Sequence, residues 1–291
     1  ECGGEIHFNS RLTDIKIDKK QLNAIQINKE HWKSTKNMIL ATGHSARDIF
    51  YLLHDRKIRI ESKPFALGVR IEHQQSFIDK LQYHNRENDQ YLPPASYSLV
   101  AQIDGKGVYS FCMCPGGIIA PCATSEKEVV TNGWSPSKRN NPYANSGIVV
   151  SIDPSDFKEY KTDPFVCLDF QKSIEKACWE AAGENQKVPA QGLADFIDRK
   201  KTVNFPKTSY FIGVTSVEMD TIFPAFVIER IRKACLEFEK KMPGFITNDA
   251  VIHAPESRTS SPVLIPRDPI TMQHVEIGGI YPCAEGAGYA G

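Results

Sequence analysis

The sequence lacks a net charge: 35 Lys and Arg stand against 35 Asp and Glu in 291 residues. With no long-range field of either sign, nucleic acid is not an expected partner. It lacks any apolar run approaching the roughly 18 residues that a membrane span needs. Its opening, Glu1-Cys2-Gly3-Gly4-Glu5, lacks the basic and apolar regions of a secretory signal. The chain is therefore expected to be soluble and cytoplasmic. Gly-x-Ser-x-Gly is missing, which leaves a hydrolase built on a nucleophile elbow without its central residue. No second cysteine pair and no His-x-x-x-His partner stands at zinc-ligand spacing, so no metal site is expected. Internal repeats and low-complexity tracts are also missing.

What is present is ample material for a core. Hydrophobic residues make up 41% of the chain, and the length fits one or two domains. The eight cysteines are scattered, and a domain with a large core has little need of disulfide staples. They read as reduced thiols, with Cys167, Cys178 and Cys235 acting as small hydrophobes in apolar helical patterns.

The alternation at Glu5–Phe8, Arg11–Asp18 and Asn23–Ile27, with a polar turn at Asp18-Lys19-Lys20, predicts a small antiparallel meander. Asn37–Ala41 is a continuous apolar run of the kind buried on both faces of a parallel sheet, and it ends in Thr42-Gly43. A helix is expected from Ser45, its candidate cap, with Ile49, Leu52 and Leu53 on one face. Strand, glycine turn and helix make half a βαβ unit.

Near Pro64 the pattern changes to strands with long connections, at Phe65–Ile71, Tyr97–Ile103, Val108–Cys112, Glu128–Thr131 and Gly147–Ile152, with polar loops at Asn85–Gln90 and Ser135–Asn145. An α+β domain is expected to begin there. Two amphipathic helices follow. Phe170–Ala182 carries a stripe of Ile174, Ala177, Cys178 and Ala181, and Pro224–Lys241 carries Val227, Ile228, Ile231, Ala234, Cys235 and Phe238. Met242-Pro243-Gly244 breaks the second and is read as the crossing back into the first domain. The last segment runs through an apolar strand into Glu285, Gly286, Ala287 and Gly288, where small residues let the backbone approach a ligand closely.

An ordered set of motifs carries a resemblance. They are Ile39-Leu40-Ala41-Thr42-Gly43-His44-Ser45-Ala46-Arg47-Asp48, Lys63 to His73 and Gly107 to Gly117, then Thr131-Asn132-Gly133, Ala144-Asn145-Ser146, Glu256 to Pro262 and Gly279 to Gly291. Through most of its length the chain resembles the FAD-dependent dehydrogenases, also called NAD(FAD)-utilizing dehydrogenases, of the two-domain flavoprotein superfamily. The resemblance implies a partial Rossmann-like FAD-binding domain, residues 1–62 and 246–291, interrupted by an inserted α+β substrate domain, residues 63–245. The combined fold class is α/β plus α+β. Such flavoproteins begin with a Gly-x-Gly-x-x-Gly turn that seats the pyrophosphate on a helix N-terminus. No such turn opens this chain, which is accordingly expected to be a fragment cut short at both ends that holds FAD weakly or not at all. Ala284 stands where the family pattern has a glycine.

In the flavin reading, Ala41, Thr42, Gly43 and His44 line the cofactor at the carboxyl edge of a sheet, where open α/β folds bind ligands. Glu285 accepts from flavin hydroxyls, and Gly279, Gly286, Ala287 and Gly288 permit close packing. The alternatives are an ordinary strand-to-helix turn and a solvated carboxylate. His44 is a candidate acid or base, set against a structural histidine. Arg258, beside Thr259, Ser260 and Ser261, is suited to phosphate or to a hydrogen-bonded loop.

For catalysis the candidates are Cys112, Cys114, Arg70, Glu72 and His73. Arg70 and Glu72 share a strand face and are placed to clamp a polar substrate or each other. Cys112 and Cys114 are either a redox or flavin-facing pair or simply packed, and the single intervening residue departs from Cys-x-x-Cys spacing. The expected function is an FAD-dependent oxidoreductase of unknown substrate, with NAD(P)H as a candidate electron donor. Its rival is a non-catalytic binding or scaffold module that holds no flavin.

Overall fold

A computed structural model describes residues 3–84 and 91–290. Cys2, the polar loop at 85–90 and Gly291 lie outside the described residues. The chain divides into two compact units. The first comprises residues 1–63, 153–168 and 260–291, and the second 64–152 and 169–259.

The first unit opens with an antiparallel meander, β1 (Leu12–Asp18), β2 (Gln21–Ile27) and β3 (His31–Ser34). Lys19 and Lys20 turn between the first two strands in the left-handed region. Next comes β4 (Met38–Leu40) and then α1 (Arg47–Asp55). This helix starts later than expected: Ala46 occupies the cap position with no side-chain cap, so Ser45 does not serve as the N-cap. Ile49, Phe50 and Leu53 are its buried face, and they join Ile15, Leu22 and Leu40 in one core. A short strand, β5 (Glu61–Ser62), ends the segment.

The second unit is built on β6 (Phe65–Gln74), in which nine of ten residues are buried. Its run of apolar side chains fits a strand paired on both edges and covered on both faces. There follow α2 (Gln75–Tyr83), β7 (Val100–Ile103), β8 (Lys106–Cys114), β9 (Ile118–Pro121), β10 (Thr131–Trp134) and β11 (Tyr143–Ile152). Beyond them lie α3 (Val166–Ala181), whose residues 166–168 belong to the first unit, β12 (Val188–Gly192), α4 (Leu193–Ile197), β13 (Val214–Ser216), α5 (Ala225–Lys241) and β14 (Val251–Glu256). Seven strands form one mixed sheet in the order β13-β12-β14-β6-β11-β8-β7. Among the described residues, its β12–β13 pair is parallel and its other strand pairs are antiparallel.

The buried face of α5 comprises Val227, Ile228, Ile231, Ala234, Cys235 and Phe238, with Arg232. Glu239 receives the Gly244 and Ile246 N–H groups where the chain leaves that helix, both at 2.8 Å. The expected crossing at Met242-Pro243-Gly244 does not occur. Every residue of β14 is buried, and the strand pairs with β6 and β12 inside the second unit. The chain returns to the first unit at Ser260.

In the first unit, β15 (Val263–Leu264) pairs with β5, and β16 (Ile280–Pro282) runs parallel to β4, with Ile280 opposite Met38 and Pro282 opposite Leu40. Among the described residues, β4 and β16 are the first unit's parallel strand pair, and an isolated parallel bridge joins Gln21 to Gly278. No helix among the described residues is long and apolar enough to cross a membrane.

Candidate functional site

Two clusters hold most of the candidate residues, one in each unit. In the first, the parallel pairing of β4 and β16 brings their following turns to one edge. Ala41 and Thr42 are exposed. Gly43 is left-handed at φ +78°, and nothing lies within 4 Å of where its Cβ would stand. A side chain at Gly286 would run into the Gly43 backbone, so the two turns touch through their glycines. His44 Nδ1 stands 2.9 Å from Glu285 Oε1, though the pair is not aligned as a hydrogen bond. The Glu285 carboxylate is 39% exposed and remains available to a further donor. A single turn of 3-10 helix spans Glu285–Ala287, and Gly288 ends it in the left-handed region. Ala287 is buried, and its carbonyl accepts from the Ile265 N–H at 3.1 Å.

Gly279 is not at this edge. It precedes β16, at the end opposite Glu285, and its missing Cβ makes room for the Lys36 carbonyl.

The second cluster lies in the second unit. Arg70 is fully buried on β6. Its Nε meets Glu256 Oε2 at 2.7 Å, and its Nη1 donates to Asn145 Oδ1 at 2.8 Å and to the Cys112 carbonyl at 3.2 Å. Burial works to lower this guanidinium, but the charge and hydrogen bond of Glu256 outweigh it and hold the group above its ordinary value. A Cβ at Gly133 would collide with Arg70 Nη1, Asn145 Oδ1 and Cys114 Sγ, so those three atoms converge over that glycine. The Cys114 thiol donates to the Cys112 carbonyl at 3.3 Å. Arg70, Cys112 and Cys114 are thus brought together. Glu72 is bound instead to Ser209, whose N–H donates at 2.9 Å and whose hydroxyl also donates. Burial pushes its carboxyl up to about 7. Arg70 and Glu72 do not clamp each other.

Two further candidates are placed elsewhere. His73, one residue on from Glu72, turns to the opposite face of the strand. Its Nε2 donates to the Phe245 carbonyl at 2.8 Å, and its ring stacks on Phe77. Burial pulls it down to about 4, so it is a neutral core histidine. Arg258 is committed to a buried ion network in the second unit. It meets Glu175 at 2.7 Å and Glu128 at 2.9 Å, with Thr124 Oγ1 at 3.1 Å. A guanidinium with two buried carboxylate partners is not a spare anion-binding arm.

Sequence reasoning alone does not reach Glu256, Asn145 and Ser209 as site residues. An acid closing the apolar run Val251–Ala254 and an Asn opening Ala144–Ile152 were the available signals, since a polar side chain inside a buried strand requires a partner. The pattern Gly286-Ala287-Gly288-Tyr289-Ala290-Gly291 also has Gly-x-Gly-x-x-Gly spacing, here at the end of the chain, following β16.

Residues 64–259 match a family described as FAD-dependent protein, C-terminal domain-like. An uncharacterised protein of Clostridium beijerinckii is 36% identical over 293 residues, covering 99% of this chain and 54% of the relative's own length. The chain therefore spans about half the length of that relative.

Proposed function

The chain belongs to the FAD-dependent protein, C-terminal domain-like family, and from that premise we propose that it is part of an FAD-dependent oxidoreductase. In this reading Ala41, Thr42, Gly43 and His44, with Glu285, Gly286, Ala287 and Gly288, form the cofactor contact of the first unit. Arg70, Glu72, Cys112 and Cys114 serve a polar substrate in the second.

The observation that carries the reading is the meeting of Gly43 and Gly286 at the carboxyl edge of the parallel pair β4–β16. Open α/β sheets bind nucleotide cofactors at that edge. The residues fit the group: the side of Gly43 that lacks a Cβ is open, two exposed residues precede it, and Glu285 offers a partly exposed carboxylate able to accept from ribityl or ribose hydroxyls. Bound FAD supplies the hydride or electron transfer. The chain's own residues bind and orient. NAD(P)H as electron donor belongs to the same proposal, as does a Rossmann-type arrangement around β4 and β16.

The test uses a polypeptide of the relative's full length that carries these residues. The expected result is a yellow protein whose flavin absorbance survives gel filtration and bleaches on anaerobic addition of NADH or NADPH. A colourless protein that also fails to take up added FAD would overturn the reading.

A further inference from the structure

We propose that Cys112 and Cys114 are a redox pair, passing between two thiols and an intramolecular disulfide by exchange with small disulfide compounds. The inference goes beyond the flavin reading, because it rests on the second unit alone and its oxidant is a disulfide.

In a regular strand, residues two apart stand about 6.6 Å from each other, near the outer limit of roughly 4.4–6.8 Å that a disulfide bridges. The strand is not regular here. Asn145 faces Cys114 while Gly147 faces Phe111, so β8 takes three steps where β11 takes two. This is a β-bulge, which bends the strand and breaks its alternation. Cys112 occupies the bulge in the left-handed region, at φ +44°. The Cys114 thiol is already folded back, 3.3 Å from the Cys112 carbonyl oxygen.

Access separates this pair from the core cysteines. Cys112 is exposed and Cys114 half-buried, whereas Cys167, Cys178 and Cys235 are buried. Burial pushes the Cys167 thiol up to about 11 and the Cys235 thiol up to about 12, which denies them the nucleophilic thiolate. Cys112 is also held above its ordinary value, by burial first and by the Glu256 and Cys114 charges, with the Arg70 charge working against them; what separates it from the core cysteines is its exposure.

Arg70 supplies the second requirement. Its Nη1 lies beside both the Cys112 carbonyl and the Cys114 sulfur, while its Nη2 is buried with no hydrogen-bond partner among the described residues. A buried donor without an acceptor is costly, and the Cys114 sulfur converges with Arg70 Nη1 over Gly133.

The exchange balances as two displacements. The Cys112 thiolate attacks one sulfur of the small disulfide, forming a mixed disulfide and expelling one thiolate, which takes up the proton that Cys112 gave to solvent. The Cys114 thiolate then attacks the Cys112 sulfur, closes the Cys112–Cys114 bond and expels the second thiolate, protonated in the same way. The protein is oxidised by two electrons, and the small disulfide is reduced to two thiols.

The test incubates the full chain with oxidised glutathione, traps free thiols by alkylation and reads peptide masses. Wild-type protein is expected to lose both alkylation sites and show a 112–114 cross-link, reversed by dithiothreitol. Cys114→Ser is expected to stop with glutathione on Cys112. The proposal is overturned if both thiols stay alkylatable, or if wild type retains glutathione on Cys112 without closing the cross-link. Should Cys114→Ser fail to fold, the wild-type masses decide alone.

Discussion

Gly286 packs directly onto Gly43: a Cβ at residue 286 would come within 2.6 Å of the Gly43 carbonyl carbon and 2.7 Å of its nitrogen. The obstacle is backbone, which cannot swing aside as a flexible side chain can. Gly286→Ala is therefore expected to separate the two turns and destabilise the first unit by about 1–3 kcal/mol, the usual cost of overpacking. Chemical denaturation followed by a probe in the first unit checks this, and unchanged stability would show that the turns do not touch.

Ala284, two residues earlier, has φ +59° and ψ −153°, a region that only glycine occupies without strain. Ala284→Gly is expected to stabilise the protein by roughly 1 kcal/mol, because relief of that strain exceeds the entropy that glycine adds to the unfolded chain. A thermal melt is the measurement, and a lower midpoint for the glycine variant would count against the conformation described.

The buried carboxyl of Glu72 makes stability depend on pH in a defined direction. Its folded value near 7 lies above the ordinary 4.5. Below about 4.5 both states are protonated, and the group costs nothing. As pH rises from there to about 7, the unfolded chain ionises first, so stability falls, by roughly 3 kcal/mol at most. His73 and His253, both held near 4 against an ordinary 6.5, act the other way. Their contribution is complete above about 6.5 and is lost as pH falls toward 4. Glu72→Gln, which mimics the protonated acid, is expected to match wild type near pH 4 and to exceed it at pH 8. Urea unfolding at the two pH values checks this, and a variant less stable at pH 8 would reverse the sign.

Periodicity made much of the fold legible. The α5 stripe from Val227 to Phe238 and the apolar run of β6 both state their burial in the residue order. Elements without punctuation did not appear. β6 passes straight into α2 at Gln74-Gln75 with no glycine or proline between them, and β12 contains Pro189 and Gly192, residues that argue against a paired strand. The C-terminal crossing was misplaced because Met242-Pro243-Gly244 marks the end of a helix without saying where the chain goes next. Only the pairing of β14 with β6 decides that.

For the site, glycine turns could be read from sequence because their chemistry is local. Charge partners could not. Arg258 and Glu175 are 83 residues apart along the chain yet 2.7 Å apart in space, and Glu175 interrupts the apolar stripe of α3, a sign that it required a buried cation. The same holds for Arg70 and Glu256, separated by 186 residues. The alternation that put Arg70 and Glu72 on one face also sends His73 to the other.

The most direct test of the flavin contact is FAD affinity, measured by equilibrium dialysis on a polypeptide of the relative's full length with and without Glu285→Ala. Loss of one charge-assisted hydrogen bond of about 1.5–3 kcal/mol corresponds to weakening by roughly tenfold or more, and that loss is expected with the fold intact by circular dichroism. FAD bound equally well by both proteins would place the cofactor away from Glu285 and contradict the assignment.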